Sequence, residues 1–315
     1  MDQSASTSAA GRRPTRRSAD SPPSELPHQW RSEPLLESVD SLSFLRQSLL
    51  FAELADIAYY IEPIARSLGE IIGFPDVQFF ENDGSQAYLF GNELDVVVVC
   101  RGTEANDWND IRADLNALTA LAETVGRVHR GFKREVDDLW PDLERTLKDN
   151  DRALWFTGHS LGGAMASICA GRCLLSAIRS EPKALFTYGC PRVGNKRYVN
   201  YCRFPRYRWV NNNDIVTRAP PIWLGYRHTG EEFYLDSRGR LRRLTRWQRS
   251  KDRWRGFWHG IKSGRIDHFT DHLQSNYIRA IHSAVLEEDA GDDPLARRER
   301  MYRRVVRRLK RRLGD

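Results

Sequence analysis

Apolar residues first fall into register at Leu42. Leu42, Leu45, Leu49, Ala52, Leu54, Ile57 and Ala58 recur at helical spacing and predict an amphipathic helix over 41–60. The period then shortens. Apolar-rich runs at 77–80 and 87–90, separated by Asn82-Asp83-Gly84, predict a β-hairpin. The run 95–100 holds four consecutive valines, the pattern of a strand buried on both faces. Residues 143–150 read as the end of a helix, 153–157 as a second buried strand and 162–178 as a helix. Further strands are expected at 184–188, 207–210 and, shorter, 233–235, and an amphipathic stretch at 277–286. Strands alternating with helices predict an α/β layered architecture with a mostly parallel sheet. No internal repeat is visible.

Composition narrows the picture. The 315 residues are 40% hydrophobic and 10% aromatic, enough to bury a sizeable core. No apolar run reaches the roughly eighteen residues a membrane-crossing helix needs. Residues 1–33 are rich in Ser, Ala, Pro and Arg without an apolar stretch, so they predict a disordered lead-in and no export signal. Cysteines 100, 169, 173, 190 and 202 are odd in number and contain no C-x-x-C pair, which argues against a disulfide framework or zinc ribbon and for a reducing compartment. A cytoplasmic protein is expected.

The formal charge of +7 is unevenly spread. Between 34 and 237 there are 22 basic and 28 acidic residues, whereas 238–265 holds 11 basic residues and the single acid Asp252. Residues 297–312 hold 10 basic residues and one acid, Glu299. The body is mildly acidic, so the chain as a whole is not a basic nucleic-acid binder. The expected organisation is a tail at 1–33, a domain at 34–289 with a basic Trp/Arg-rich insertion at 238–265, and a basic amphipathic tail at 290–315.

Gly158-His159-Ser160-Leu161-Gly162 fits G-x-S-x-G between a predicted strand and a predicted helix, the context this motif requires. A nucleophilic serine there sits on a tight turn that crowds any Cβ beside it, and Gly158 and Gly162 relieve the crowding. The helix N-terminus behind Ser160 offers free amides and a positive dipole end. A matching acid and then a histidine should follow in the chain. Strand 207–210 ends in Asn211-Asn212-Asn213-Asp214, and Asp214 is the candidate acid. Of the later histidines, His228 precedes another strand, His259 lies in the basic insertion and His282 falls inside a helix. His268 and His272, both in a polar stretch before 277–286, remain as candidate general bases, and position prefers neither. Two histidines four apart could also ligate a metal, but no third ligand is indicated, so neither metal nor cofactor is expected.

An oxyanion hole needs a second amide from a loop after an earlier strand. Thr103, following strand 95–100, fits, with the Leu161 amide as the other donor. Leu115, Leu118, Leu121 and Ala122 share one helical face between Asp114 and Gly126; a plain amphipathic surface helix fits them as well as a lid, and their place beside this loop favours a lid over 110–127.

These residues resemble the class 3 (fungal-type) lipases of the α/β-hydrolase superfamily, from about 44 to 286. The resemblance rests on Val98-Val99-Cys100-Arg101-Gly102-Thr103 with Asp107-Trp108, then Val128-His129-Arg130-Gly131-Phe132, then 157–163. Tyr188-Gly189-Cys190-Pro191-Arg192-Val193-Gly194-Asn195, the stretch 210–221 and the region of His272 follow in order. The resemblance implies an α/β-hydrolase fold, a mostly parallel central sheet with helices on both faces, and metal-free serine esterase chemistry on lipids. It selects His272, five residues before Tyr277, as the base, and gives His129 and His159 supporting places.

The expected activity is thus carboxylic-ester hydrolysis of lipids, triacylglycerol-lipase-like, through an acyl-enzyme on Ser160. Phospholipase A1, monoacylglycerol lipase and short-chain esterase are the alternatives within the class, and a non-catalytic membrane-docking protein is the alternative outside it. In 238–265, Trp247, Trp254, Phe257 and Trp258 interleave with arginines and lysines. In the C-terminal tail Tyr302, Val305, Val306, Leu309 and Leu313 share a helical face among arginines. Both suit an anionic membrane surface, which would place the protein at the inner membrane face, with nucleic acid the disfavoured rival.

Overall fold

A computed structural model describes residues 32–102, 119–245, 247–248 and 272–313. Its centre is an eight-stranded sheet in the order β1-β2-β3-β6-β7-β9-β11-β12. These strands are β1 (Asp76–Asn82), β2 (Ser85–Gly91), β3 (Asp95–Cys100), β6 (Ala153–His159), β7 (Pro182–Tyr188), β9 (Arg206–Asn211), β11 (Glu231–Leu235) and β12 (Leu241–Arg242). Strands β3, β6, β7, β9 and β11 run parallel, while β1, β2 and β12 are antiparallel additions at the two edges. The carboxyl ends of the parallel strands therefore meet along one edge, where α/β sheets present their chemistry.

The valine run explains the layering. Along β3, Val97 and Val99 face one core while Val96, Val98 and Cys100 face the other. The first core is covered by α1 (Phe44–Ile57) and α6 (Gln274–Asp289), the second by α3 (Arg130–Leu147) and α4 (Leu161–Cys173). Helix α1 begins at Ser43, whose hydroxyl accepts the Arg46 amide, and its Phe51 ring lies 4.6 Å from Phe186 and 5.5 Å from Trp155. Fully burying such a ring stabilises the fold by about 1.5–3 kcal/mol. Asp95 fixes the start of β3: its buried carboxylate accepts Trp155 Nε1–H at 2.8 Å and the Val39 amide at 2.9 Å. On α3, Phe132, Val136, Leu139, Leu143 and Leu147 form the buried stripe.

Several elements depart from the sequence pattern. Helix α3 is 18 residues long and carries Pro141 inside it, so the pattern exposed only its last turns. Helix α4 stops at Cys173, not near 178, because Ser176 Oγ bonds the Cys173 carbonyl and accepts the Ile178 amide, closing a competing local turn. Helix α2 (Glu62–Ile72) had no counterpart in the prediction; it has Pro63 in its first turn and Gly73 as its left-handed cap, at φ 105°. A second, four-stranded sheet joins β10 (Tyr226–Arg227), β8 (Gly194–Asn195), β5 (Arg127–His129) and β4 (Thr119–Leu121). The helical reading of the proposed lid fails where the structure describes it: 119–121 is a strand paired antiparallel with 127–129. Residues 103–118 of that segment lie outside the described residues.

Within the basic insertion, Leu241–Arg242 pairs with Tyr234–Leu235, while 246 and 249–265 lie outside the described residues. So does all but the last two residues of the N-terminal tail. At the other end, α7 (Pro294–Leu313) is docked through its first turns. Buried Arg298 donates to Glu231 at 2.9 Å and to the Glu232 carbonyl at 2.8 Å, and its guanidinium sits 4.3 Å from the Phe233 ring centre. Arg243 adds a bond to Glu299 at 2.7 Å and lies over the Tyr302 ring. Tyr302, one residue of the expected amphipathic face, thus meets the body of the protein, while the side chains of 308–313 lie outside the described residues.

Candidate active site

Strand β6 delivers Ser160 to the carboxyl edge of the sheet, directly before α4. Ser160 is buried and holds φ 60°, ψ −129°, a conformation that costs a non-glycine residue energy and persists because its surroundings fix it. Its amide bonds the Tyr188 carbonyl at 2.9 Å, and its own carbonyl accepts Gly163 N–H at 3.0 Å. Glycine flanks the turn for a steric reason. A Cβ on Gly158 would lie 2.5 Å from the Gly162 carbonyl group, and one on Gly162 would strike the Cys100 carbonyl and come within 2.7 Å of the Gly102 amide. Ser160 Oγ finds no hydrogen-bond partner among the described residues. Leu161 is the first residue of α4, so helix geometry gives its amide no intrahelical acceptor. Thr103, the other expected oxyanion donor, lies outside the described residues, as does His268.

Asp214 follows β9 and is fully buried. Its Oδ2 accepts His272 Nδ1–H at 2.9 Å and the Tyr277 hydroxyl at 2.6 Å, while Oδ1 accepts the Val216 amide at 2.9 Å. The carboxylate is thereby held by three donors, and with its proton on Nδ1 the neutral His272 ring has Nε2 as its basic nitrogen. Tyr277, one turn into α6, in turn accepts the Asn211 amide at 3.0 Å. Gly189 makes the approach possible: at φ 60° it comes so close that a Cβ would lie 2.8 Å from both Asp214 Oδ2 and His272 Cε1. Because Gly189 follows Tyr188, the acceptor of the Ser160 amide, the elbow and the Asp214–His272 pair share one corner of the fold.

His159 supports that corner. Its Nε2–H donates to the His272 carbonyl at 2.7 Å, and its Nδ1 accepts the Tyr59 hydroxyl at 3.1 Å. A carbonyl can only accept, so this pattern selects one neutral tautomer. Burial first, and then the neighbouring His272, push His159 well below the usual imidazole range, which keeps it neutral. The sequence motif marked His159; nothing in the helical pattern of 41–60 distinguished Tyr59, which sits just past α1. Gly189 belongs to a quoted motif, but its contact with the pair depends on β7 and β9 being neighbours.

His129, at the end of β5, is buried against Phe132, with ring centres 4.2 Å apart, and burial lowers its pKa to about 4. Its neutral form is favoured in the fold and its charged form in the unfolded chain. The stability this contributes is fully present above the ordinary imidazole value near 6.5 and is lost as the pH falls towards 4. Replacing it with phenylalanine is expected to shrink the difference in urea midpoint between pH 7 and pH 5; an unchanged difference would remove His129 as its source.

Residues 97–223 match the family model for class 3 lipases. That segment is similar to class 3 lipases. Secreted mono- and diacylglycerol lipase 1 of Fusarium solani is 45% identical over 119 residues, 35% of this chain and 34% of that protein. A lipase of Rhizomucor miehei is 32% identical over 157 residues, 46% of this chain and 42% of that one. The chain therefore spans less than half the length of these curated relatives. A solved fungal lipase–inhibitor complex superposes with a TM-score of 0.52 at 25% identity, covering 61% of this chain and 80% of the other. The architecture is the α/β-hydrolase fold, and the matched segment holds the elbow, the Gly189 turn and Asp214, while His272 and Tyr277 lie beyond it.

Proposed function

We propose that this protein is a serine hydrolase of lipid carboxylic esters. The observation that carries the reading is the joined geometry of Ser160, at positive φ on the β6–α4 elbow, and His272 Nδ1–H at 2.9 Å from Asp214 Oδ2. In this reading Ser160 Oγ attacks the ester carbonyl carbon while His272 Nε2 takes its proton. The developing oxyanion is held by the Leu161 amide, with Thr103 as the second donor. His272 then protonates the leaving alcohol as the acyl-enzyme forms, and a water activated by the same nitrogen releases the carboxylic acid. Asp214 holds the Nδ1–H tautomer and balances the imidazolium charge. Lipid esters are favoured because the relatives that match the segment are named as lipases. Apposition to an anionic membrane surface, through the basic residues of 238–265 and 297–313, belongs to the same proposal.

Hydrolysis of p-nitrophenyl esters from acetate to palmitate tests the reading. Turnover rising with chain length supports a lipase, a maximum at short chains supports the esterase alternative, and no turnover at any length by folded protein contradicts the proposal. Within the same scheme, Tyr277→Phe removes a donor to the charged Asp214 and one acceptor of the Asn211 amide. A hydrogen bond to a charged group is worth about 1.5–3 kcal/mol. A destabilisation of that size is expected in urea unfolding, with kcat lowered and KM held.

A further inference from the structure

The loop that leaves Asp214 carries a feature the triad does not use. Ile222, Trp223 and Leu224 form a single 3-10 turn and are 52%, 85% and 48% exposed. Three consecutive large apolar side chains facing water mark a contact surface. The turn is held in place from both sides. Arg192, on the loop after β7, donates its amide to the Ala219 carbonyl at 2.7 Å and its Nη1 to the carbonyls of Arg218 and Pro220. Arg227 Nη1 donates to the Ile222 carbonyl at 3.0 Å, and the Gly225 amide closes the turn on the same oxygen at 2.9 Å. Little ordering entropy remains to be lost when this turn meets a partner.

Charge and position identify the partner. Arg218 and Arg227 are exposed on either side of the turn, and 215–230 contains no aspartate or glutamate. The loop leaves the carboxyl end of β9 through Asp214, and the bonds from Arg192, on the loop leaving the carboxyl end of β7, hold 218–220 at that edge, immediately before the apolar turn. A tryptophan flanked by aliphatic side chains and two arginines matches the boundary of a phospholipid layer, where indole rings settle at headgroup depth and cations meet phosphates. We propose that Ile222-Trp223-Leu224 is the segment that inserts into an anionic phospholipid surface, with Arg218 and Arg227 at the phosphates, so that the Ser160 corner faces the lipid. This deepens the lipid-ester reading and rests on it for the purpose of docking, but the insertion can be measured without turnover.

The test is co-sedimentation of the full chain, carrying Ser160→Ala to prevent hydrolysis, with vesicles of phosphatidylcholine and phosphatidylglycerol. Adding Ile222→Ser, Trp223→Ser and Leu224→Ser is expected to weaken partitioning by roughly tenfold, the ratio that about 1.4 kcal/mol produces. Circular dichroism and the thermal midpoint check that the triple variant folds, and Trp223→Ser alone should shift partitioning in the same direction. The triple variant keeps every residue of 238–265 and 297–313, so undiminished partitioning would assign docking to those segments and overturn the proposal. Absence of binding by the parent would overturn it, and so would a dimer that the triple substitution disperses while vesicle binding persists. Ester hydrolysis by the unsubstituted chain is scored separately, so a failed anchor and a failed hydrolase are told apart.

Discussion

Ser160→Ala is expected to leave a folded protein whose kcat on a soluble p-nitrophenyl ester is lower by roughly a millionfold, the loss that removing an activated serine nucleophile produces elsewhere. Stability should be nearly untouched. Alanine and serine share the Cβ that the elbow tolerates at φ 60°, and the lost Oγ has no hydrogen-bond partner among the described residues. A urea midpoint equal to the parent's with activity gone separates chemistry from folding. Activity persisting in the variant would move the nucleophile elsewhere in the chain.

Asp214→Asn is expected to lower kcat by roughly ten-thousandfold, since the nearly isosteric amide reverses the hydrogen bonding of the histidine. Asp214 accepts on both oxygens, from His272 Nδ1–H and the Tyr277 hydroxyl on one and from the Val216 amide on the other. An asparagine must present its NH2 to one side. Facing His272, it forces the proton onto Nε2 and removes the base; facing Val216, it sets donor against donor inside a buried loop. The second arrangement adds a loss of stability, so unfolding measured beside kcat shows which way the amide lies. A variant within tenfold of the parent's kcat would mean that Asp214 does not orient the base.

Much of this was legible in the sequence because the elements concerned are fixed locally. Four valines with no polar interruption can only be a strand covered on both sides, and β3 divides the two cores. The elbow was legible for a similar reason: Gly158 and Gly162 are demanded by contacts within one turn and the adjoining strand end. Asp214 stood out from its place after a strand, and the fold brings it to His272. The choice between His268 and His272 was not legible, because it depends on how α6 approaches β9, a contact between residues 58 positions apart. Residue spacing left both open, and family resemblance chose His272. Tyr59 and Gly189 gave no periodic signal for the same reason, each acting across strands or helices that only the fold makes neighbours. Pro141 inside α3 and the short strand Thr119–Leu121 show the converse, where a local pattern was overridden by tertiary pairing.

The most direct test of the central claim is reaction of the full chain with a fluorophosphonate, followed by intact mass and peptide mapping. The account predicts one adduct per chain, located on Ser160, lost in Ser160→Ala and formed far more slowly in Asp214→Asn. A folded chain that takes no label, or that carries it on another serine while Ser160 stays unmodified, would contradict it.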